Sequence, residues 1–571
     1  MKKYLSYLLI AATGIGCQSG ADNASADGNA TELFYNGNII TMAGDAPETA
    51  EALVTQDGKI AFVGTLQEAK KAFGNAAQTD LGGKTLLPGF IDPHSHFGMV
   101  SNAMGQVDLN PQPVGSVNAI AQLKERLLAY KAENKIADGE WIFGWGYDDG
   151  QLTEKRHPTK AEIDAVLPNN PVFIIHTSGH MGVANTLALQ QLKITAATPD
   201  PDGGHIDRMA GGKEPNGLLQ ETAMYPMMGT MMEVLSTKKG DFFDKTQEYY
   251  AQHGITTAQD GMTDRHTLQF FQAQANAGKL KIDLVALGGF SDLEANLKDS
   301  SLNWKQYHNH FKTQGTKIIS DGSPQGKTAY FTKPFLTPVP GCHADCRGLP
   351  SLSQEALNKL FVTAYQANNQ LFIHSNGDAS MDMVIQAHEK ACTELGQPLD
   401  KERRTVVIHS QFVRPDQLQK YVQYKIEPSF FTNHAYFWGD EHVKNLGAER
   451  AGFLSPIATA DRLKLHYTNH SDATVTPISP MFTVWTAVNR TSRTGAVIGA
   501  AEKATPYQAL KAITRNAAYQ YFEDGSKGTL EKGKLADLVI LDKNPLTTPP
   551  ADIRHIQVVQ TIKEGKTIYK Q

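Results

Sequence analysis

His94 and His96 stand two residues apart just after an apolar stretch, Leu86-Leu87-Pro88-Gly89-Phe90-Ile91. On an extended segment that spacing points both imidazoles the same way, so one metal ion could take a nitrogen from each. The pair alone proves little. With 19 His in 571 residues a chance pair is expected, and His308 and His310 form a second one. Those two lie in polar sequence and are read as surface or packing histidines. Other metal-capable side chains follow in order, each on or just after an apolar run. Lys317 opens Lys317-Ile318-Ile319, His374 follows Leu371-Phe372-Ile373, and His409 follows Val406-Val407-Ile408. Asp472 comes shortly after Lys464-Leu465-His466-Tyr467. Singly, each has a plainer role: a hydrogen-bonded structural histidine, a helix-capping aspartate, or a lysine paired with Asp321. As an ordered series of imidazoles, an amine and a carboxylate, they suit a metal centre.

Residues so far apart in sequence meet only if the elements carrying them converge. Strand-like runs (residues 85–91, 172–175, 317–319, 370–373, 405–408 and 464–467) alternate with helix-like stretches (117–132, 352–366 and 505–519). Strand-then-helix order argues for a parallel sheet covered by helices, as a barrel or an open doubly wound sheet. In a barrel the C-terminal strand ends form one rim, where such side chains meet. The span exceeds the ~250 residues of a plain barrel, and the loop-rich residues 100–235 are the expected insertion. Trp141, Trp145 and Tyr147 near it could line a lid, with core packing the plainer role. Short strands at residues 33–35, 39–41, 52–56 and 59–63, the last two joined by Asp57-Gly58, have counterparts at 535–541 and 562–569. Asp-Gly between apolar runs is a hairpin signal. The simplest account is one small β unit built from both chain ends.

Composition narrows the class. Hydrophobic residues at 41% and charged residues at 20% exclude wholesale disorder. A net charge of −5 provides no basic field for nucleic acid, and no nucleic-acid partner is expected. Four Cys exclude a disulfide scaffold. A single apolar run, residues 4–16 behind Lys2 and Lys3, excludes a multi-span membrane protein. That run and the Gly16-Cys17 junction resemble a lipoprotein export signal, although Gly14 stands where Leu is usual. Residues 1–17 are then the signal, with Cys17 lipidated as a membrane tether, and 18–31 a flexible polar linker. Plain signal cleavage is the alternative. Either way the expected location is outside the cytoplasm, periplasmic or membrane-anchored. Cys342 and Cys346 are close enough to bridge if their loop turns, with His343 and Asp345 offering a minor metal site instead. Cys392 is read as a buried thiol.

At this point the chain resembles the amidohydrolase superfamily, and within it the amidohydrolase 3 branch that includes N-substituted formamide deformylases. The opening signature is Leu87-Pro-Gly-Phe-Ile-Asp-Pro-His-Ser-His96, preceded by Asp80-Leu-Gly-Gly-Lys84. Branch-type motifs are Gly144-Trp-Gly-Tyr-Asp-Asp149, His157-Pro158-Thr159, His180-Met-Gly-Val-Ala-Asn185 and Gly217-Leu-Leu-Gln-Glu221. Lys317-Ile-Ile-Ser-Asp-Gly322, His374, His409 and Ser471-Asp472 continue in order, and Gly528-Thr-Leu-Glu-Lys-Gly-Lys-Leu-Ala-Asp-Leu-Val539 closes the chain. One departure is His470, where the family usually has Gly.

The resemblance implies an α/β fold: a distorted TIM (β/α)8 barrel over 85–525 with the insertion, plus a small β-sandwich domain from 32–84 and 526–571. It implies a metal centre of His94, His96, Lys317, His374, His409 and Asp472. His94, His96 and Asp472 would hold one ion and His374 and His409 another, with Lys317 bridging as a carbamate. One or two divalent metals, zinc by default, are expected; a site with Lys317 uncarboxylated would be mononuclear. The metal would make water nucleophilic and polarise a carbonyl, and Asp472 would carry the proton to the leaving nitrogen. His180, Glu221 and Asp321 are candidates for the substrate pocket. The expected activity is hydrolysis of a non-peptide carbon–nitrogen bond in a small-molecule substrate. The alternatives are an ester, lactone or cyclic amide at the same site, or a non-catalytic binding lipoprotein. A homodimer is an expectation from superfamily analogy.

Overall fold

The computed structural model describes residues 31–571 apart from Pro113, Ser178, His180, Gly203, Lys238 and 340–344. The signal with Cys17, the linker up to residue 30, His180, Cys342 and His343 therefore lie outside the described residues. Cys346 is disulfide-bonded, and Cys392 is a free, buried thiol.

Eight parallel strands carry the candidate site: β1 (Phe90–Ile91), β2 (Ile255–Thr263), β3 (Asp283–Gly289), β4 (Phe311–Ile319), β5 (Gln370–Ser375), β6 (Thr405–His409), β7 (Ile426–Phe430) and β8 (Thr468–Asn469). They pair in chain order into one curled sheet, as in a distorted (β/α)8 barrel. Side chains alternate across it with the period of two expected for strands. Leu284, Ala286, Leu371, Ile373 and Val407 face outward into the main core, with Phe361, Val384 and Leu418 of the covering helices. Val285, Leu287, Phe372, Val406 and Ile408 face inward and pack on Ala517, Ala518 and Tyr521.

Two expectations about elements are corrected. Residues 464–467 are not a strand; β8 is the two-residue Thr468–Asn469 that follows. The apolar alternation of Leu465 and Tyr467 comes from packing on the main core, with the Tyr467 hydroxyl donating to Asp461 (2.9 Å). The stretch 505–519 is two helices, Pro506–Ala512 and Arg515–Gln520, parted by the non-helical backbone of Thr514 (φ −131°, ψ −99°).

Between β1 and β2 the chain builds a six-stranded sheet from Val107–Asp108, Ile142–Tyr147, Val172–His176, Met181–Ala184, Gly204–Arg208 and Pro215–Glu221. Its two faces again alternate. Val172 and Ile174 pack with Leu123 and Leu127, while Phe173 and Ile175 pack with Met227 and Phe242. The helix Lys239–Gln252 then returns the chain to the barrel, placing Phe242 in the inserted core and Phe243 and Tyr250 in the main one. Trp141 stacks on Phe143 (5.3 Å between ring centres) and Tyr147 is fully buried with its hydroxyl on His157 Nδ1 (3.0 Å).

A third sheet joins strands from both chain ends: Glu32–Ile40, Thr49–Gln56, Lys59–Gly64, Ala77–Asp80 and Thr85–Pro88 with Leu538–Leu541, Val558–Lys563 and Lys566–Lys570. Where the resemblance implied a sandwich, these strands make one hydrogen-bonded sheet. Thr85–Pro88 pairs with Glu32–Ile40 on one side and with Leu538–Leu541 on the other. The sheet curls back on itself, Lys59 bridging to Leu535 and the Ile60 N–H donating to Lys534 O (2.8 Å).

Candidate metal centre

The loop after β1 turns His94 to the inside of the curled sheet, where it is fully buried. Gln259 of β2 sets its orientation. The Gln259 Nε2 donates to Pro93 O (2.9 Å) and to the Tyr521 hydroxyl (2.7 Å), which leaves Oε1 facing His94 Nδ1 at 2.5 Å. In this network His94 Nδ1 carries the proton and Nε2 carries the lone pair. That lone pair points at Lys317 Nζ (2.9 Å) and at Asp472 Oδ1 (3.4 Å). His96 caps the helix Phe97–Met104 and brings its Nε2 to 3.3 Å from the same oxygen.

The other half of the centre comes from β4, β5 and β6. Lys317 faces inward from β4 and is buried. His374, near the end of β5, places Nδ1 3.0 Å from His409 Nε2. His409 follows Ile408 on β6, so strand alternation would turn it outward with Val407. Its left-handed backbone (φ 72°) breaks the alternation, and Asp472 has φ 51°. Non-glycine residues in that region carry strain, which clusters at ligand-holding sites.

Burial fixes the protonation of these groups. His94 and His409 are held well below the ordinary histidine range, and His374 is lowered to about 4. The cause in each case is removal of the charged form from water, so the imidazoles are neutral ligands. Burial also brings Lys317 down to about 7, which makes its free amine accessible near neutrality. The donor set fits a divalent transition metal. Two atoms held tetrahedrally at ~2.0–2.1 Å sit about 3.3 Å apart, close to the 3.0, 3.3 and 3.4 Å separations seen here. Among the described residues His409 Nδ1 has no hydrogen-bond partner. The His96 and His374 side chains retain 19% and 20% of their exposure, so the centre opens to solvent between them.

All six residues of the ordered series thus converge at the C-terminal ends of the strands. Of the pocket candidates, Asp321 and Glu221 are among the described residues, and Asp321 Oδ1 lies 3.7 Å from His374 Nε2. Asp321 is buried, and its oxygens accept the backbone N–H groups of Asn376 (2.9 Å), Gly377 (2.8 Å) and Tyr330 (3.0 Å), tying the loops after β4 and β5 together. Glu221 ends a strand of the inserted sheet, exposed, with φ 50°. His310, partly exposed, places Nδ1 2.8 Å from Oδ1 of Asp283, whose carboxylate also meets Lys527 and Lys563.

Three residues at the centre escaped the sequence reading as site residues. Gln259 gives no motif signal. Asp92, two before His94, accepts from the Ser471 hydroxyl (2.5 Å) and backbone (3.3 Å) and so fixes the segment holding Asp472; burial raises Asp92 to about 7. Asn376 Nδ2 lies 3.0 Å from His374 Nε2 and donates to Gly322 O (2.8 Å).

The family model described as "Amidohydrolase family" matches residues 78–569. The chain is similar to N-substituted formamide deformylase of Arthrobacter pascens, 28% identical over 564 residues, covering 94% of this chain and 98% of that protein. It is similar to Protein LONG AFTER FAR-RED 3 of Arabidopsis thaliana, 30% identical over 565 residues, covering 94% of this chain and 91% of that protein. Among solved structures, an uncharacterized metal-dependent hydrolase from Pyrococcus furiosus aligns with a TM-score of 0.71 over 90% of this chain and 100% of that one. At 22% identity that is a likeness of fold.

Proposed function

The chain belongs to the amidohydrolase family, and from that premise we propose that it is a metal-dependent hydrolase of a non-peptide, amide-type carbon–nitrogen bond. The observation that carries the reading is the convergence of His94, His96, Lys317, His374, His409 and Asp472 in one buried ring open on one side. His94, His96 and Asp472 would hold one divalent ion and His374 and His409 a second. Such ions supply Lewis acidity and lower the pKa of water enough for attack at neutral pH.

The residues of the chain do the rest. Lys317, which burial lowers to about 7, would add carbon dioxide at Nζ as the free amine: a nitrogen–carbon bond forms, a proton leaves to solvent, and the product carboxylate would serve as a further anionic ligand. Asp472 accepts the proton of the attacking water at its carboxylate. Water oxygen adds to the carbonyl carbon, the carbon–nitrogen bond breaks, and Asp472 returns the proton to the departing nitrogen. Gln259 holds His94 in the tautomer that offers Nε2, and the hydrogen bonds from Ser471 to Asp92 hold Asp472 in place. The N-substituted formamide deformylase similarity supports small N-substituted amides as the first substrates to try.

Elemental analysis of chain beginning at residue 32, purified without chelator, tests the metal. Close to two transition-metal ions per chain supports the bridged centre; close to one supports a mononuclear site and removes the role of Lys317. A protein that binds neither zinc nor manganese overturns the reading. A panel of N-substituted formamides, N-acyl amines, cyclic amides, esters and lactones then assigns the bond, with turnover of esters alone overturning the amide reading.

A further inference from the structure

We propose that His470 is a further nitrogen ligand of the metal centre, beside the four histidines, Lys317 and Asp472 already described. The inference rests on the metal-dependent reading above. His470 is the first residue beyond β8, tied there by its backbone N–H donating to Phe430 O (3.0 Å). Its side chain enters the ring of ligands rather than the surrounding core. The imidazole is 1% exposed. Its centre lies 5.1 Å from that of His94 and 5.0 Å from that of His409, so it stands between the two halves of the site. Two imidazoles bound to one tetrahedral ion at ~2.0–2.1 Å have ring centres about 5 Å apart. His94 and His96 show 5.0 Å and His374 and His409 show 4.5 Å, so His470 is spaced from its neighbours as those pairs are.

Its hydrogen bonding separates it from the others. Among the described residues neither Nδ1 nor Nε2 of His470 has a partner. His94 uses Nδ1 on Gln259, His374 and His409 meet each other, and His96 meets Asp472. A buried imidazole with both nitrogens unsatisfied is costly, and an apolar ring would pack as well on Phe431, whose centre lies 4.7 Å away. The nitrogen earns its position if it meets an ion between His94 and His409. This is also the position at which the sequence departs from the family pattern.

The test compares the chain beginning at residue 32 with its His470→Gly variant, which removes the imidazole, and its His470→Phe variant, which fills its volume without a donor. Each is stripped and reloaded with zinc or cobalt(II), and circular dichroism of the metal-free proteins confirms equal folding. Zinc affinity by competition with a chelator is expected to fall about tenfold or more in both variants. The cobalt absorption bands are expected to shift, with free imidazole restoring them in His470→Gly. Solvent-exchangeable, hyperfine-shifted imidazole N–H signals of cobalt-loaded wild type, one per bound ring, should number five rather than four, a reading that needs no variant. Unchanged affinity and spectra overturn the inference, even if turnover changes, because His470 would then touch substrate and not metal. A wild type that binds no metal overturns the metal-dependent reading itself, whereas metal in the wild type with indifferent variants overturns this inference alone.

Discussion

Gln259 controls His94 through three hydrogen bonds that leave its carbonyl only one direction to face. Removing that acceptor frees His94 to rotate or to take the other tautomer, in which Nε2 carries a proton and cannot bind an ion. Gln259→Leu is therefore expected to weaken metal binding about 10–100-fold, measured by chelator competition. Pro93 O would keep its donors from Gln520 (2.9 Å) and Tyr521 (2.8 Å), so the loop should hold. Unchanged affinity would mean that packing alone orients the ring. Asp472 separates binding from proton transfer. Asp472→Asn keeps an oxygen at the 3.3 Å and 3.4 Å positions but is a far weaker base. With metal content matched, its kcat is expected to fall about 10²–10⁴-fold, as for loss of a general base. A fall confined to KM would remove the proton-carrying role.

The strands themselves carry a second polar system, away from the centre. At the N-terminal end of β3, Asp283 is buried with Lys527 and with Lys563 (2.9 Å). Lys563 also meets Asp537 (2.9 Å), while Lys527 meets Glu523 (2.9 Å), so the network ties the curled sheet to the sheet made from the chain ends. Although burial acts to raise the Asp283 carboxyl, the two lysines outweigh it and hold the group well below the ordinary carboxylate range. A depressed acid contributes stability that is complete above its unfolded value near 4 and is lost as pH falls toward the folded value. Asp283→Asn leaves two buried lysines short of a partner and should cost about 3–5 kcal/mol at pH 7. Urea melts of both proteins should show that gap constant down to about pH 5 and narrowing below about pH 4. A gap independent of pH would assign the loss to packing. Networks of this kind also explain what sequence could reveal. The series of candidate ligands was legible because apolar runs such as Leu371-Phe372-Ile373 precede its histidines. Most of β4 was not, since Lys312 and Gln314 face inward to meet Glu523 and Gln370 rather than apolar neighbours. β2 was hidden for the same reason: Gln259 points inward to the site and breaks the apolar run. β8 was misplaced because its two residues are polar and its neighbours Leu465 and Tyr467 mimic a strand.

At the scale of the whole molecule the curled sheet has a seam. Among the described residues no strand pairing joins β1 to β8, which end the eight-strand order. The seam is held at its rim instead, where the Asp472 N–H donates to His94 O (3.1 Å), the His96 N–H to Ala473 O (2.8 Å) and Ser471 to Asp92. His94, His96 and Asp472 are also three of the candidate ligands, so an ion held by them would clamp the two edges across the same gap. Such an ion would stabilise the fold as well as supply chemistry, because it would bind the folded arrangement and not the unfolded chain. At a free concentration 100 times the dissociation constant the gain is about 2.7 kcal/mol. Stripping the metal is therefore expected to lower the melting temperature. It should also speed amide hydrogen exchange at residues 94–96 and 471–473 while leaving the middle of β5 protected, since local opening follows the weakest boundary. Equal exchange at the seam with and without metal would show that the rim hydrogen bonds close the sheet unaided. A uniform acceleration reaching β5 would instead make the ion a support of the entire sheet, with no separate weakness between its two edges.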